Sequence, residues 1–177
     1  MADFLESLGL GRLFAKPLTV FEIQAARDAK DVGTILRGLK FRNPDVCRAA
    51  ADSLETVHDC LQPPHLTVLY KILERAEPSP VSLKLAGAID YVRDKAWRSV
   101  KKGHRTDQVL RLMGKPDFMG TGRDFVTAFN VGVVFNCGDA EAFGLPHWVW
   151  RRAGDPKSWM LVVFQDNRVI NTQSYDS

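Results

Sequence analysis

Residues 31–54 read DVGTILRGLKFRNPDVCRAAADSL, and this stretch decides how the chain is to be folded. Ile35, Leu36 and Leu39 stand at helical spacing. Asn43 then offers a side-chain acceptor for a new helix, and Pro44 suits its first position because proline lacks the amide that would go unpaired there. The second helix places Val46, Ala49, Ala50, Leu54 and Val57 on one face and ends near Leu61-Gln62-Pro63-Pro64. Two amphipathic helices joined by a proline turn are therefore expected here.

The same pattern extends in both directions. Upstream, residues 18–42 form one apolar pattern in which Ile23, Ala26, Lys30 and Val32 lead into Ile35. Residues 3–14 suit a short amphipathic helix with Phe4, Leu5, Leu8 and Leu13 roughly on one side, weakened by Gly9 and Gly11 and ended by Pro17. Downstream, Leu66, Leu69, Ile72 and Leu73 give another apolar face, broken by Glu77-Pro78-Ser79-Pro80. A longer helix over 81–102 follows, with Leu85, Ile89, Val92, Ala96 and Val100 inward and Gly103 as its stop. Val46 and Val81 lie 35 residues apart, each after a proline turn, so a helix-pair repeat present about twice is expected. An ordinary four-helix bundle gives the same apolar spacing.

The stretch resembles a HEAT repeat. The matching positions are Asp31, Val32, Leu36, Leu39, Pro44, Asp45, Val46, Arg48, Ala49, Ala50 and Leu54. The small alanines suit close helix approach, and Asp45 complements the helix dipole. Residues 64–102 depart from the pattern, with Glu77-Pro78-Ser79-Pro80 in place of Pro-Asp and Lys84 where alanine is usual.

The period changes after Gly103. Thr106 is the expected N-cap of a short helix carrying Val109, Leu110, Leu112 and Met113, closed by Gly114 and Pro116. Residues 118–145 are glycine-rich, and a hairpin of Phe125–Phe129 against Gly132–Phe135 is expected there. Residues 147–152 and 168–175 alternate, while 159–165 is nearly all apolar. Asp166-Asn167 suits a two-residue hairpin turn. Trp148 and Trp150 share one strand face, and His147, Val149 and Arg151 the other. One of these faces is expected to cover the helix 107–113.

Residues 97–118 and 146–175 are similar to the BamE (SmpA/OmlA) outer-membrane assembly lipoproteins. The likeness rests on Gly103-His104-Arg105-Thr106-Asp107-Gln108-Val109, on Leu112-Met113-Gly114-Lys115-Pro116, and on the aromatic strand, apolar strand, tight turn and last strand that follow. His104 stands where methionine is usual. The resemblance implies a helix on an antiparallel sheet. The outer-membrane role is not expected, since Met1–Glu6 lacks the basic and apolar regions of a signal peptide and no acylated N-terminal cysteine is present.

The expected architecture is thus α+β: a HEAT-like helical-repeat module over 1–102, packed against a BamE-like α+β unit over 103–177. The two would be joined through the helix 81–102. A length of 177 residues accommodates one domain or two small ones. With 45% apolar and 25% charged residues the chain is neither a disordered tail nor a collagen-like repeat. Three cysteines, Cys47, Cys60 and Cys137, argue against a disulfide scaffold and for a reducing compartment. No run of 18 apolar residues exists, so no membrane insertion and a cytoplasmic location are expected.

Net charge is +3, with 10 basic and 11 acidic residues in 1–80 but 14 and 10 in 81–177. The dense part is Arg93, Lys95, Arg98, Lys101, Lys102, His104 and Arg105. On a continuous helix Arg98, Lys101, Lys102 and Arg105 would share one stripe, and these four are the candidate partner-binding residues. Such a stripe suits phosphate or an acidic protein surface, and equally a solvated helix C-terminus. His58-Asp59-Cys60 with His65 has no standard zinc spacing. Cys137, Asp139, Glu141 and His147 are close in sequence, as a Cys–His nucleophile would need, and Cys137-Gly138-Asp139 also reads as a turn. Gly120-Thr121-Gly122 lacks the strand and helix context of a phosphate loop. No cofactor and no catalytic set are expected. The leading expectation is a non-catalytic protein-interaction or scaffold module with a protein partner. The alternatives are an enzyme, resembling the HEAT-type bilin lyases or using a Cys/His site within 118–147, and a nucleic-acid binder acting through 93–105.

Overall fold

The structure, a computed structural model, describes residues 17–129, 143–155 and 157–175. The expected helix over 3–14 and the strand Gly132–Phe135 lie outside them. The described residues form an α+β fold of seven α-helices and a four-stranded antiparallel sheet.

Five helices come first: α1 (Val20–Asp28), α2 (Val32–Gly38), α3 (Pro44–Val57), α4 (Pro63–Leu73) and α5 (Pro80–Trp97). Each begins where a side chain takes up free amides. Thr19 and Glu22 form a reciprocal capping box on α1. Asp31 accepts from the Thr34 amide at 3.1 Å. Asn43 accepts from the Asp45 amide at 2.9 Å with Pro44 behind it, as its sequence context predicts. The single pattern over 18–42 is in fact two helices. Lys30 takes a left-handed φ of 55°, and the Asp31 amide turns back to the Ala26 carbonyl at 2.8 Å, so the chain reverses between them.

The apolar faces of α1 to α5 meet in one core that includes Ile23, Ile35, Ala50, Leu54, Val57, Leu69, Leu85 and Ile89, each 1% exposed or less. At Gly38 the helices come so close that a Cβ would lie 2.4 Å from Ile23 Cδ1 and 3.0 Å from Ala50 Cβ. Helix α5 serves two cores. Leu85, Ala88, Ile89 and Val92 belong to the first, whereas Ala96 packs with the sheet, flanked by half-buried Trp97 and Val100.

The helix expected over 81–102 stops at Trp97. Tight turns follow (Ser99 N to Ala96 O, Val100 N to Trp97 O), and the sheet then captures the chain. Gly103, with φ 90°, donates its amide to Val169 O at 2.8 Å, Val169 N returns a bond to His104 O, and Thr106 N donates to Asn167 O. Those bonds require extended backbone, which a continued helix would forbid.

Helix α6 (Thr106–Met113) is capped by Arg105 rather than Thr106, with Gln108 Oε1 taking the Arg105 amide at 2.8 Å. It ends at Gly114, φ 72°. The sheet is a meander, β1 (Phe118–Thr121), β2 (Pro146–Arg151), β3 (Trp159–Gln165) and β4 (Arg168–Tyr175), in sequence order. Trp150 faces Met160 in register, and Asp166 and Asn167 close β3 onto β4 with φ of 50° and 60°, the twist a two-residue hairpin needs. A bulge between Val163 and Phe164 shifts the register.

Both sheet faces are covered, which explains why β3 is apolar at nearly every position. One face carries Trp148, Trp150, Met160, Val162 and Phe164 onto Val109 and Met113 of α6, as the strand alternation predicts. The other carries Val149, Leu161 and Val163 onto Phe125. Phe125 lies on α7 (Gly122–Phe129), so the expected strand Phe125–Phe129 is a helix. Its cause is local. Thr121 N donates to Asp124 Oδ2 at 2.8 Å and Asp124 N to Thr121 Oγ1 at 3.3 Å, a reciprocal cap that starts a helix. Among the described residues no helix is long and apolar enough to cross a membrane.

Candidate interaction surface

Helix α5 meets the sheet through a polar seam. Asp90, Arg93 and Asp94, spaced to share one helix face, all address the turn after β2. The Asp90 carboxylate accepts from the amides of Ala153 (2.6 Å) and Gly154 (2.9 Å). Burial pushes its pKa up, against those two amides, which pull it down. Asp94 pairs with Arg152 at 2.7 Å. Arg93 is 2% exposed. It donates to Arg151 O at 2.7 Å and to Asp117 Oδ2 at 3.1 Å, and its guanidinium carbon lies 4.6 Å from the centre of the Tyr70 ring. Burial raises the Tyr70 phenol above its usual range. Five charged groups, Asp90, Arg93, Asp94, Asp117 and Arg152, thus sit where they fix one core against the other. The seam is an anchor, and its ionic groups are engaged with one another.

A different surface lies on the helical part. Helix α5 packs on both α3 and α4, and a groove of about 550 Å³ lies between α4, the corner at residues 39–41 that leads into α3, and the start of α5. Its floor is Leu39, Phe41, Val68, Ile72, Val81 and Leu85. Leu39 and Leu85 are buried, whereas Phe41, Val68, Ile72 and Val81 are half-buried and still meet solvent. The rim carries Lys40, Lys71 and Arg75, all exposed. No acidic residue lines this groove. Cys47 also lines it, its thiol turned to Leu39 O at 3.5 Å and its pKa pushed up by burial.

A second depression, about 370 Å³ between α3 and α5, differs in its polar groups. Lys84 pairs there with Asp52, the Tyr91 hydroxyl donates to Asp59, and the His58 ring stands edge-on to Tyr91 at 4.1 Å. These groups satisfy one another.

The residues singled out in the sequence disperse. Arg98, Lys101, Lys102 and Arg105 are exposed, but only Arg98 borders α5, as its C-cap, so they form no helical stripe. Arg105 Nε lies 3.3 Å from Asp107. Arg93 is in the seam, and Lys95 Nζ donates to Asp59 O at 3.2 Å. His58 and His65 are engaged separately: His58 Nδ1 with Glu55 O, and His65 Nδ1 accepting from Gln62 N at 2.9 Å. No group of metal-ligating side chains converges among the described residues. Cys137, Asp139 and Glu141 lie outside them. His147 is 1% exposed beneath Gly122, its Nδ1 2.7 Å from Leu145 O, and burial lowers its pKa. Thr121 ends β1 and Gly122 begins α7, so Gly120-Thr121-Gly122, against expectation, does pass from a strand into a helix, and Thr121 is engaged in the cap with Asp124.

Comparison with protein-family models, curated proteins and solved structures finds no match to this chain.

Proposed function

We propose that this protein is a non-catalytic interaction or scaffold module, with a HEAT-like helical-repeat part over 1–102 and a BamE-like unit over 103–177. The observation that supports the reading is the groove between α4 and the α2–α3 corner, whose half-buried apolar floor lies beneath a cationic rim. An apolar depression with a charged rim has the anatomy of a protein-binding patch. The polar seam supports it as well, since it holds the helical part rigid against the sheet and so keeps the groove in shape.

The test is site-specific photo-crosslinking in the cell of origin. A crosslinker at exposed Thr67, on the groove, is compared with one at exposed Thr56, on α3 away from it. A defined protein adduct from Thr67 that is missing from Thr56 is the expected result. Equal adducts from both positions, or none from Thr67, would overturn the reading.

A further inference from the structure

We infer that the groove takes an acidic amphipathic helix of a partner protein; this rests on the interaction reading above and names the partner's chemistry.

One groove wall consists of Thr67, Val68, Lys71 and Ile72 of α4, with Arg75 and Ala76 in the turn that follows it. Thr67 and Lys71, and Val68 and Ile72, are each four residues apart, so the four form one strip along the helix. From Thr67 to the helix end at Leu73 the strip runs about 9 Å at 1.5 Å per residue, and the turn carrying Arg75 and Ala76 prolongs it. A partner helix lying along it can seat apolar side chains at i, i+3 or i+4, and i+7, which span about 10 Å. Val68 and Ile72 from the strip and Phe41 and Val81 from the facing elements are the half-buried surface that would meet those anchors.

Charge chooses among amphipathic helices. Lys71 stands on the strip, Arg75 in the turn after α4, and Lys40 in the corner after α2. Among the described residues none of the three side chains has a carboxylate within ion-pair distance. A helix whose carboxylates flank its apolar face sets them against Lys40, Lys71 and Arg75 while that face points to the floor. A basic helix would set like charges against the rim and is disfavoured.

The probe is a fluorescein-labelled synthetic helix of about 14 residues, leucines on one face and glutamates flanking them. Anisotropy is read against the full chain. Controls are a scrambled peptide of the same composition and a version with glutamine for glutamate. Saturable binding of the glutamate helix is expected. It should weaken about tenfold in a Lys71→Glu/Arg75→Glu variant, on the scale of a few exposed ion pairs, and weaken also between about 0.05 and 0.5 M salt. A Lys101→Glu/Lys102→Glu variant should bind as the parent does. The inference is overturned if the scrambled or glutamine peptide binds equally, or if reversal at Lys71 and Arg75 changes nothing. The two readings fail separately. Thr67 adducts on a segment that is not an acidic helix would sink this inference and leave the interaction module standing. Peptide binding without any Thr67 adduct in cells would do the reverse.

Discussion

Replacing Arg93 by methionine tests the seam most directly. Methionine keeps most of the volume and the packing on Tyr70, so the loss is polar. Four interactions disappear, the weakest a 3.5 Å bond to Lys115 O that adds little. The pair with Asp117 is worth about 1 kcal/mol once discounted for the 35% exposure of the carboxylate. The bond to Arg151 O, lost from a partly buried place, is worth about 1 kcal/mol, and the guanidinium on the Tyr70 ring about 1 kcal/mol. One term runs the other way. Arg93 Nε is buried without a partner, and its removal returns about 1 kcal/mol. The net is a destabilisation of about 2 kcal/mol. With a urea slope of about 2 kcal/mol/M, the unfolding midpoint should fall by about 1 M. Circular dichroism reports mainly the helices, and tryptophan emission mainly the sheet, where Trp148, Trp150 and Trp159 are buried. Both should shift together, because the seam bears on both cores. Asp117→Asn should cost less, since Asp117 can be hydrated and Arg93 cannot. An Arg93→Met midpoint within about 0.25 M of the parent, or an Asp117→Asn loss greater than that of Arg93→Met, would refute this account of the seam.

Other outcomes follow from local geometry. Gly38→Ala should cost about 1–3 kcal/mol in urea unfolding, because its Cβ meets Ile23 and Ala50 in a filled core; a neutral result would show that α2 can move outward. Asp31→Ala should cost about 1 kcal/mol near pH 7 by removing the α2 cap. Hydrogen bonds from Thr34, its hydroxyl first and then its amide, hold that carboxyl below the usual range. The cap's contribution is therefore full above the unfolded carboxylate pKa and is lost as pH falls through the folded one, so parent and variant should converge in acid melts. His147 should titrate by NMR below the ordinary imidazole value of about 6.5, since burial disfavours its cation. Because the unfolded chain then binds the proton more readily, His147 should make stability decline as pH drops below about 6.5, a decline that disappears in a folded His147→Gln variant.

Much of the fold is legible because local chemistry and packing agree. Asn43-Pro44 marks the start of α3 through a side-chain cap, and Asp166-Asn167 closes β3 onto β4 through positive φ that few residues accept. The alternation of Trp148, Val149 and Trp150 foretells one face that covers α6; that the opposite face is buried as well is seen only in the structure. The misreadings have one common source, a local signal overlooked or overruled by a distant partner. Thr121 and Asp124 carry a cap signature in plain sight, yet the glycines around them suggest a hairpin. The apolar period through Val100 continues past the end of α5, because Trp97 and Val100 are needed against the sheet even after the helix has stopped. What ends the helix is β4, some 65 residues later, whose Val169 and Asn167 claim the backbone of residues 103–106.

The surface was less legible than the core, for a physical reason. A basic run looks like a site when it is contiguous, and 93–105 is the contiguous one. Folding scatters that run: Arg93 goes inside, Lys95 caps a carbonyl, Arg105 meets Asp107 and the lysines ride a turn. Lys40, Lys71 and Arg75 are too far apart in sequence to suggest a common purpose, and each alone reads as an ordinary solvated cation. Their grouping depends on α4, the α2–α3 corner and the start of α5 coming together, which is a tertiary fact. One trace of it was present. In α4 the apolar residues Val68 and Ile72 stand beside the buried face formed by Leu66 and Leu69, so the helix carries more apolar width than one neighbour can cover. On the proposed reading, a helix with surplus apolar width beside exposed cations is the sequence form of a partner groove. It becomes readable only when the net charge of +3 is examined helix by helix rather than run by run.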